Sequence, residues 1–265
     1  MGGMPEVVRT YVQEQNMMQL PSVYESIWGT YQNDVEKYAR NDTERKVIKH
    51  IMATAPLYID QRIKFQHFGN SNYRSREVGE AMRSLDEARV IQLMYPTTDM
   101  EVPLKPDLKK SPRLQLLDTG LVNHVLGIQA EMLSLQDMSN AYKGSIIPHL
   151  INQELLSLNS LSNKKPFFWV REKNQASSEV DLLYTHQSKI IPIEIKSGST
   201  GSLKSLHQFV ERASHPYAVR MYAGEFKVIK TQTPAGVPYL LMNMPYYLGT
   251  QIPAYIEWFV HNHTL

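Results

Sequence analysis

The stretch from Glu179 to Lys196 constrains this chain more than any other. Val180–Tyr184 and Ile190–Ile195 are apolar runs of strand length, and the polar Thr185–Lys189 between them reads as a turn. The two runs therefore pair as an antiparallel hairpin. Side chains alternate along a strand, so Ile191, Ile193 and Ile195 point one way while Glu194 and Lys196 point the other. Around this hairpin the chain alternates strands and helices. Strands are expected at Leu114–Leu117, Phe167–Val170, Ala218–Tyr222 and Tyr239–Met242. Helices are expected from Gly144 or Pro148 to Leu158, over Leu203, Leu206, Val210 and Ala213, and at Pro253–Val260. The fold class is α/β (α+β), and residues 105–265 form a mixed sheet flanked by helices.

Upstream the rhythm is helical. Residues 1–40 carry Val7, Val8 and Tyr11, then Tyr24, Ile27, Trp28 and Tyr31, at helical spacing. They read as a helical hairpin too small for a core of its own, the end of something larger. In residues 41–104, Asp42 or Thr43 can cap a helix bearing Val47, Ile48, Ile51 and Met52. A second short helix is expected from Pro56 to about Arg62. A third carries Val78, Met82, Leu85 and Ala88. Ile91 and Leu93 begin an extended segment, and Pro96–Asp99 reads as a turn before Val102 and Leu104. Three helices and a strand pair is the order of a winged helix, whose third helix would enter a DNA groove. Arg74, Arg76 and Arg83 lie on its outer side as candidate nucleic-acid contacts, but Glu77 and Glu80 lie there too, as on an ordinary solvated helix. Residues 40–113 hold fourteen basic and ten acidic side chains, the one basic stretch of a chain whose net charge is +2. Lys105–Arg113 is a basic, proline-containing linker.

With 42% hydrophobic and 20% charged residues the 265-residue chain can bury cores and is not disordered. It has no cysteine, which excludes disulfides, thiol nucleophiles, iron–sulfur clusters and cysteine-based zinc sites. No apolar run has the roughly 18–20 residues that span a bilayer, and Met1–Glu6 has no signal-peptide character. A cytoplasmic chain with no membrane partner is the expectation.

The tight turn brings Asp181 beside the second strand, whose Glu194 and Lys196 share one face. Two carboxylates and an ammonium at one sheet edge are what divalent-metal hydrolysis of a phosphodiester needs. Carboxylate oxygens hold Mg²⁺ with waters still bound, and a lysine orients the attacking water or neutralises developing charge. The same alternation also fits a half-buried hairpin with a solvated face. Lys204 and Ser205 open the next helix, where they could contact a phosphate or simply begin a solvated helix. Phe168 and Trp169 read as core. The nine histidines offer no helical pair at metal-ligand spacing, and His261 and His263 are expected in a disordered tail.

Asp181 with Glu194-Ile195-Lys196 resembles the signature of the PD-(D/E)XK nuclease superfamily. The likeness extends in order through Gly2-Gly3-Met4-Pro5-Glu6-Val7-Val8, Leu116-Leu117-Asp118-Thr119-Gly120-Leu121, Tyr142-Lys143-Gly144, Phe168-Trp169, Glu179-Val180-Asp181, Ile191–Gly198 and Lys204-Ser205-Leu206. Over essentially its whole length the chain resembles the C-terminal part of a family of prokaryotic AAA+-type ATPases. In that family a nucleotide-binding domain precedes a lid, a winged-helix-like region and a PD-(D/E)XK-like domain of unknown function. The resemblance implies a lid remnant at 1–40, a winged-helix-like module at 41–104 and a nuclease-like domain at 105–265. It further implies Asp181 and Glu194 as Mg²⁺ ligands, Lys196 as the third catalytic residue, and DNA, a homo-oligomer and an ATPase core outside this chain as partners.

Two features depart from the family pattern. No G-x-x-x-x-G-K-[ST] loop occurs, so neither an ATP site nor ATP hydrolysis is expected of these residues. Pro148 and His149 stand where the family carries a Glu-Asn pair that supplies a third acid. Glu154 is about 120° round the helix from position 148 and a poor substitute. Asp118 could stand in, or could cap the helix that follows it. The functional expectation is a nucleic-acid-binding module with a Mg²⁺-dependent deoxyribonuclease-like site; the alternative is a catalytically degenerate scaffold for partner binding or oligomer contacts.

Overall fold

The computed structural model describes residues 1–128, 140–158, 164–173, 176–198 and 201–265. The chain divides into two units, Met1–Leu93 with Ser111–His149, and Met94–Lys110 with Leu150–Leu265.

The first unit is mainly helical. Helix α1 (Pro5–Glu14) starts with a proline at its first position, where the missing N–H costs no helical bond. Helices α2 (Leu20–Tyr38), α3 (Asp42–Thr54) and α4 (Ser75–Glu87) follow. The cap of α3 is Asn41, one residue before those expected; its side-chain oxygen accepts the Glu44 N–H at 2.9 Å. Val47, Ile48, Ile51 and Met52 of α3, with Val78, Met82 and Leu85 of α4, are buried as their spacing predicts, while Ala88 is half-buried at the C-cap of α4. The short helix after Pro56 is a 3₁₀ turn, Ala55–Tyr58.

Strand β1 (Ile91–Met94) pairs with β3 (Arg113–Leu116), not with Val102 and Leu104 as the sequence suggested. The expected partner strand contains Pro103, which has no N–H to donate to a ladder. On its other side β3 receives Asp60–Ile63, through Asp60 N–H to Leu114 O (2.8 Å), Leu114 N–H to Gln61 O (3.0 Å) and Ile63 N–H to Pro112 O (2.9 Å).

Helix α5 (Thr119–Val125) is capped by Asp118, which settles the choice left open for that residue. Its Oδ1 accepts the Leu121 N–H at 2.8 Å and its Oδ2 accepts the Gly3 N–H at 2.6 Å. This carboxylate joins two sequence motifs more than a hundred residues apart, and the glycines between them have a packing reason. A methyl on Gly2 would overlap the Asp118 carboxylate, and one on Gly120 would overlap the Tyr24 hydroxyl and the Gly2 amide. Burial, with the Asp118 charge adding to it, pushes the Tyr24 hydroxyl well above the usual tyrosine range. Gly120→Ala is expected to cost about 1–3 kcal/mol through overpacking. Urea unfolding checks it, and an unchanged midpoint would show that the contact relaxes freely.

Helix α6 (Asn140–Leu158) starts ahead of both expected positions, so Pro148 lies inside it. Its residues through His149 belong to the first unit and the rest to the second.

The second unit is built on a seven-stranded sheet. Its members are β2 (Pro96–Thr97), β4 (Phe167–Lys173), β5 (Ala176–His186), β6 (Lys189–Ile195), β7 (Tyr217–Tyr222), β8 (Lys227–Gln232) and β9 (Pro238–Pro245), in the order β2-β4-β5-β6-β7-β9-β8. Pairs β2·β4, β6·β7 and β7·β9 are parallel; β4·β5, β5·β6 and β8·β9 are antiparallel. Pro96–Thr97, read as a turn, is thus an edge strand. The hairpin turn is tighter than expected, with His186 opposite Lys189 and Gln187 in the left-handed region (φ 55°).

Helix α7 (Lys204–Val210) covers one sheet face, where Leu206 and Val210 pack with Ala218, Tyr239 and Leu241. Phe209 meets Trp169 edge-on at 5.3 Å, so Trp169 (2% exposed) and Phe168 are core, as read. Helix α8 (Ile252–Asn262) lies on the opposite face, with Phe259 edge-on to Tyr217 at 5.2 Å. His261 and His263 are ordered, not in a loose tail: His261 is within α8, and the His263 carbonyl accepts the Tyr217 hydroxyl at 2.9 Å. No helix among the described residues is long and apolar enough to cross a membrane.

Candidate functional site

The candidate site lies where β5 and β6 stop pairing. From Phe167 to Trp169, β4 advances two residues while β5 advances three, from Leu183 to Val180. The extra residue makes a bulge at Asp181–Leu182, and a bulge re-aims the side chain it carries. The β5·β6 register ends at Leu182 opposite Ile193, and beyond it the Asp181 carboxylate replaces a backbone acceptor. Its Oδ2 takes the Ile195 N–H at 2.7 Å. Ile195 lies between the other two predicted residues. Glu194, 5% exposed, accepts a 2.5 Å hydrogen bond from the Lys196 ammonium through its Oε1. Asp181, Glu194 and Lys196 therefore gather at one end of the hairpin.

Several neighbours complete the surroundings. Lys196 N–H donates to Met221 O at 2.8 Å, which fixes its backbone to β7. Gly201 lies against the Lys196 stem; a Cβ there would sit 2.7 Å from Lys196 Cδ. The Tyr246 hydroxyl donates to Ser197 O at 3.3 Å, and burial raises its pKa. In the parallel register Glu194 is beside Arg220, and Arg220 beside Asn243. Register neighbours share a face, so a polar row crosses three strands of the sheet. Arg220 and Asn243 carry no local motif, and only the pairing of β6, β7 and β9 reveals them.

Ser205 is tied to the sheet: its hydroxyl oxygen accepts the Glu179 N–H at 3.4 Å, two residues before Asp181. Lys204 is exposed beside it. In the first unit Arg76 and Arg83 are exposed on α4, and Arg74 is exposed at its N-cap. Arg76 Nε bonds Glu80 at 2.8 Å, and the Arg74 N–H donates to Glu77 at 2.9 Å. The Arg76 hydrogen bond and charge, with the nearby charges of Arg83 and Arg40, lower the Glu80 pKa. Arg40 thus joins this basic face from outside α4.

The replacement pair Pro148-His149 is accounted for by local structure. His149 is fully buried and its Nδ1 lies 2.5 Å from Gln115 Oε1. Gln115 Nε2 donates to Asp60 Oδ1 at 2.7 Å, and Arg113 lies 3.5 Å from the same oxygen. Since Gln115 Oε1 can only accept, His149 Nδ1 carries the proton and Nε2 is the bare lone pair. Nε2 has no hydrogen-bond partner. Burial drives the His149 pKa down to about 3. Glu154 packs against Gly249.

Two carboxylates and an ammonium suit a hard cation, which takes oxygen ligands and keeps water. Among the described residues, though, no three His, Asp or Glu side chains gather closely enough to hold a metal ion.

The molecule is thus an α+β chain whose seven-stranded mixed sheet carries a carboxylate–ammonium cluster at its central hairpin. Two family models match it, each described as a domain of unknown function: DUF8612 over residues 1–132 and DUF4143 over residues 143–240. No curated protein matches the chain.

Proposed function

We propose that this chain is the nucleic-acid-directed C-terminal region of a AAA+-type ATPase, and that its sheet carries a PD-(D/E)XK-like phosphodiesterase site. The observation that carries this reading is the Asp181 carboxylate bonded at 2.7 Å to the backbone between Glu194 and Lys196. Asp181 and Glu194 would hold Mg²⁺, which supplies Lewis-acid activation of a water. Lys196 positions that water or offsets charge as it develops on the phosphate, and Gly201 leaves room for its stem. In the first unit, the order α3, 3₁₀ turn, α4, β1 and β3, with Asp60–Ile63 along β3, favours a winged-helix-like reading. On that reading α4 and its N-cap present Arg74, Arg76 and Arg83 to DNA, and Lys204 and Ser205 serve the second unit. The meeting of the Gly2-Gly3 and Asp118–Gly120 motifs joins two stretches of the family likeness within the first unit.

Nicking of supercoiled plasmid by the purified chain with Mg²⁺ or Mn²⁺ tests the proposal. Asp181→Asn and Lys196→Ala are each expected to lower the rate by about a hundredfold or more. Metal-dependent nicking that survives both substitutions would remove the site from consideration.

A second reading is a degenerate scaffold for partner binding or oligomer contacts. It is favoured by the absence of a third acid from the cluster among the described residues and by His149, which is committed to Gln115. Under it no DNA or RNA form is cut with any divalent ion.

A further inference from the structure

Arg220 is half-buried on β7, between Glu194 of β6 and Asn243 of β9 in the register of the sheet. Its guanidinium carbon lies 4.4 Å from the centroid of the Tyr222 ring. That ring is a fixed platform: the Tyr222 hydroxyl donates to Glu225 O at 2.8 Å, and Gly224 packs so closely that any side chain there would collide with the ring. Stacking leaves the edge of a guanidinium open for hydrogen bonds and limits the rotamer entropy lost when they form.

Arg220 has further unmet bonding capacity. Its Nε is buried without a hydrogen-bond partner, and the Oδ1 of Asn243, itself fully buried, also has none. Nε is enclosed, so a ligand meets this half-buried side chain through its Nη groups, which are not among the buried atoms and make no hydrogen bond among the described residues. Glu194, its neighbour in register, engages Lys196 through Oε1. A planar cation on a rigid ring, with its outer Nη edge free and two carboxylates and an ammonium next to it, matches an anion with several oxygens. A phosphodiester is such an anion.

We propose that Arg220 is a phosphate-binding residue, taking a non-bridging oxygen of a nucleic-acid backbone laid across the Asp181–Glu194–Lys196 cluster. The identity of the anion rests on the nuclease-like reading; the guanidinium site itself does not. Tyr222 is the positioning residue for Arg220.

The test is fluorescence anisotropy of labelled single-stranded and duplex DNA with the full chain in EDTA, from ~50 to ~200 mM salt. Arg220→Gln is expected to weaken binding about tenfold and to flatten the log K against log salt slope by about 0.7–0.9, the value of one phosphate contact. Arg220→Lys keeps the charge but not the fork, so the slope is retained and affinity returns only in part. Arg220→Lys also serves if Arg220→Gln fails to fold by circular dichroism, because parental affinity in the lysine variant would refute a role for the fork. Unchanged affinity and slope in Arg220→Gln overturn the inference, as does a parent that binds no oligonucleotide. Binding lost with Arg220 in a protein that cuts nothing refutes the nuclease reading alone. Cleavage that depends on Asp181, with Arg220→Gln binding like the parent, refutes the phosphate contact alone.

Discussion

Acidification from about pH 6.5 to about pH 3 is expected to remove roughly 4–5 kcal/mol of folding stability through His149 alone. Burial holds its folded-state pKa at about 3, whereas an unfolded histidine titrates near 6.5. Between those values the unfolded chain binds a proton that the folded chain refuses, so stability rises with pH. The contribution is full above about pH 6.5, falls by about 1.4 kcal/mol per pH unit below it, and declines no further under the folded pKa. The geometry explains the refusal. Nδ1–H is committed to Gln115, so protonation would place a new N–H and a charge at Nε2, where no acceptor lies. Asn at this position retains a donor for Gln115 and cannot titrate. Urea unfolding at pH 5.0–7.5 should therefore give a steeper pH dependence for the parent than for His149→Asn. The difference isolates His149 from His207 and His215, whose pKa values burial also lowers. Parallel profiles would refute the assignment.

Asp118→Ala is expected to destabilise the first unit by about 3 kcal/mol. Loss of a helix N-cap costs ~1 kcal/mol, and the charge-assisted bond to Gly3 N–H adds ~1.5–3 kcal/mol because Asp118 is 4% exposed and water cannot replace it. Asp118→Asn keeps an oxygen for the Leu121 N–H but no charge, and should fall between alanine and the parent. Thermal and urea unfolding of the three proteins measure the series. A loss below about 0.5 kcal/mol for Asp118→Ala, the range of ordinary surface substitutions, would show that the Gly2–Gly3 segment is held by other contacts.

Wherever one face of an element is apolar at a fixed period, its existence could be read from the chain. The α3 and α4 stripes and the isoleucines of β6 are of this kind, since burial imposes the same period on sequence and structure. Strand β8 leaves no such period because an edge strand buries no face: of Lys227–Gln232 only Val228 and Ile229 are apolar, and lysines are typical of a protected edge. The β1 partner was misplaced because the nearest apolar residues, Val102 and Leu104, flank a proline, while the true partner follows the Lys105–Ser111 segment.

At the candidate site, the hairpin and the alternation that sets Glu194 and Lys196 on one face are legible in the chain. Both follow from a strand period of two and a short turn. Tertiary structure decided what those residues can meet. The bulge that turns the Asp181 carboxylate onto the Ile195 N–H and the Glu194–Arg220–Asn243 row depend on which strands lie side by side. So does the Arg113–Asp60–Gln115–His149 chain. The physical reason is that contacts between residues far apart in the chain arise from the register of pairing and the packing of helices, and leave no period in any local stretch of sequence.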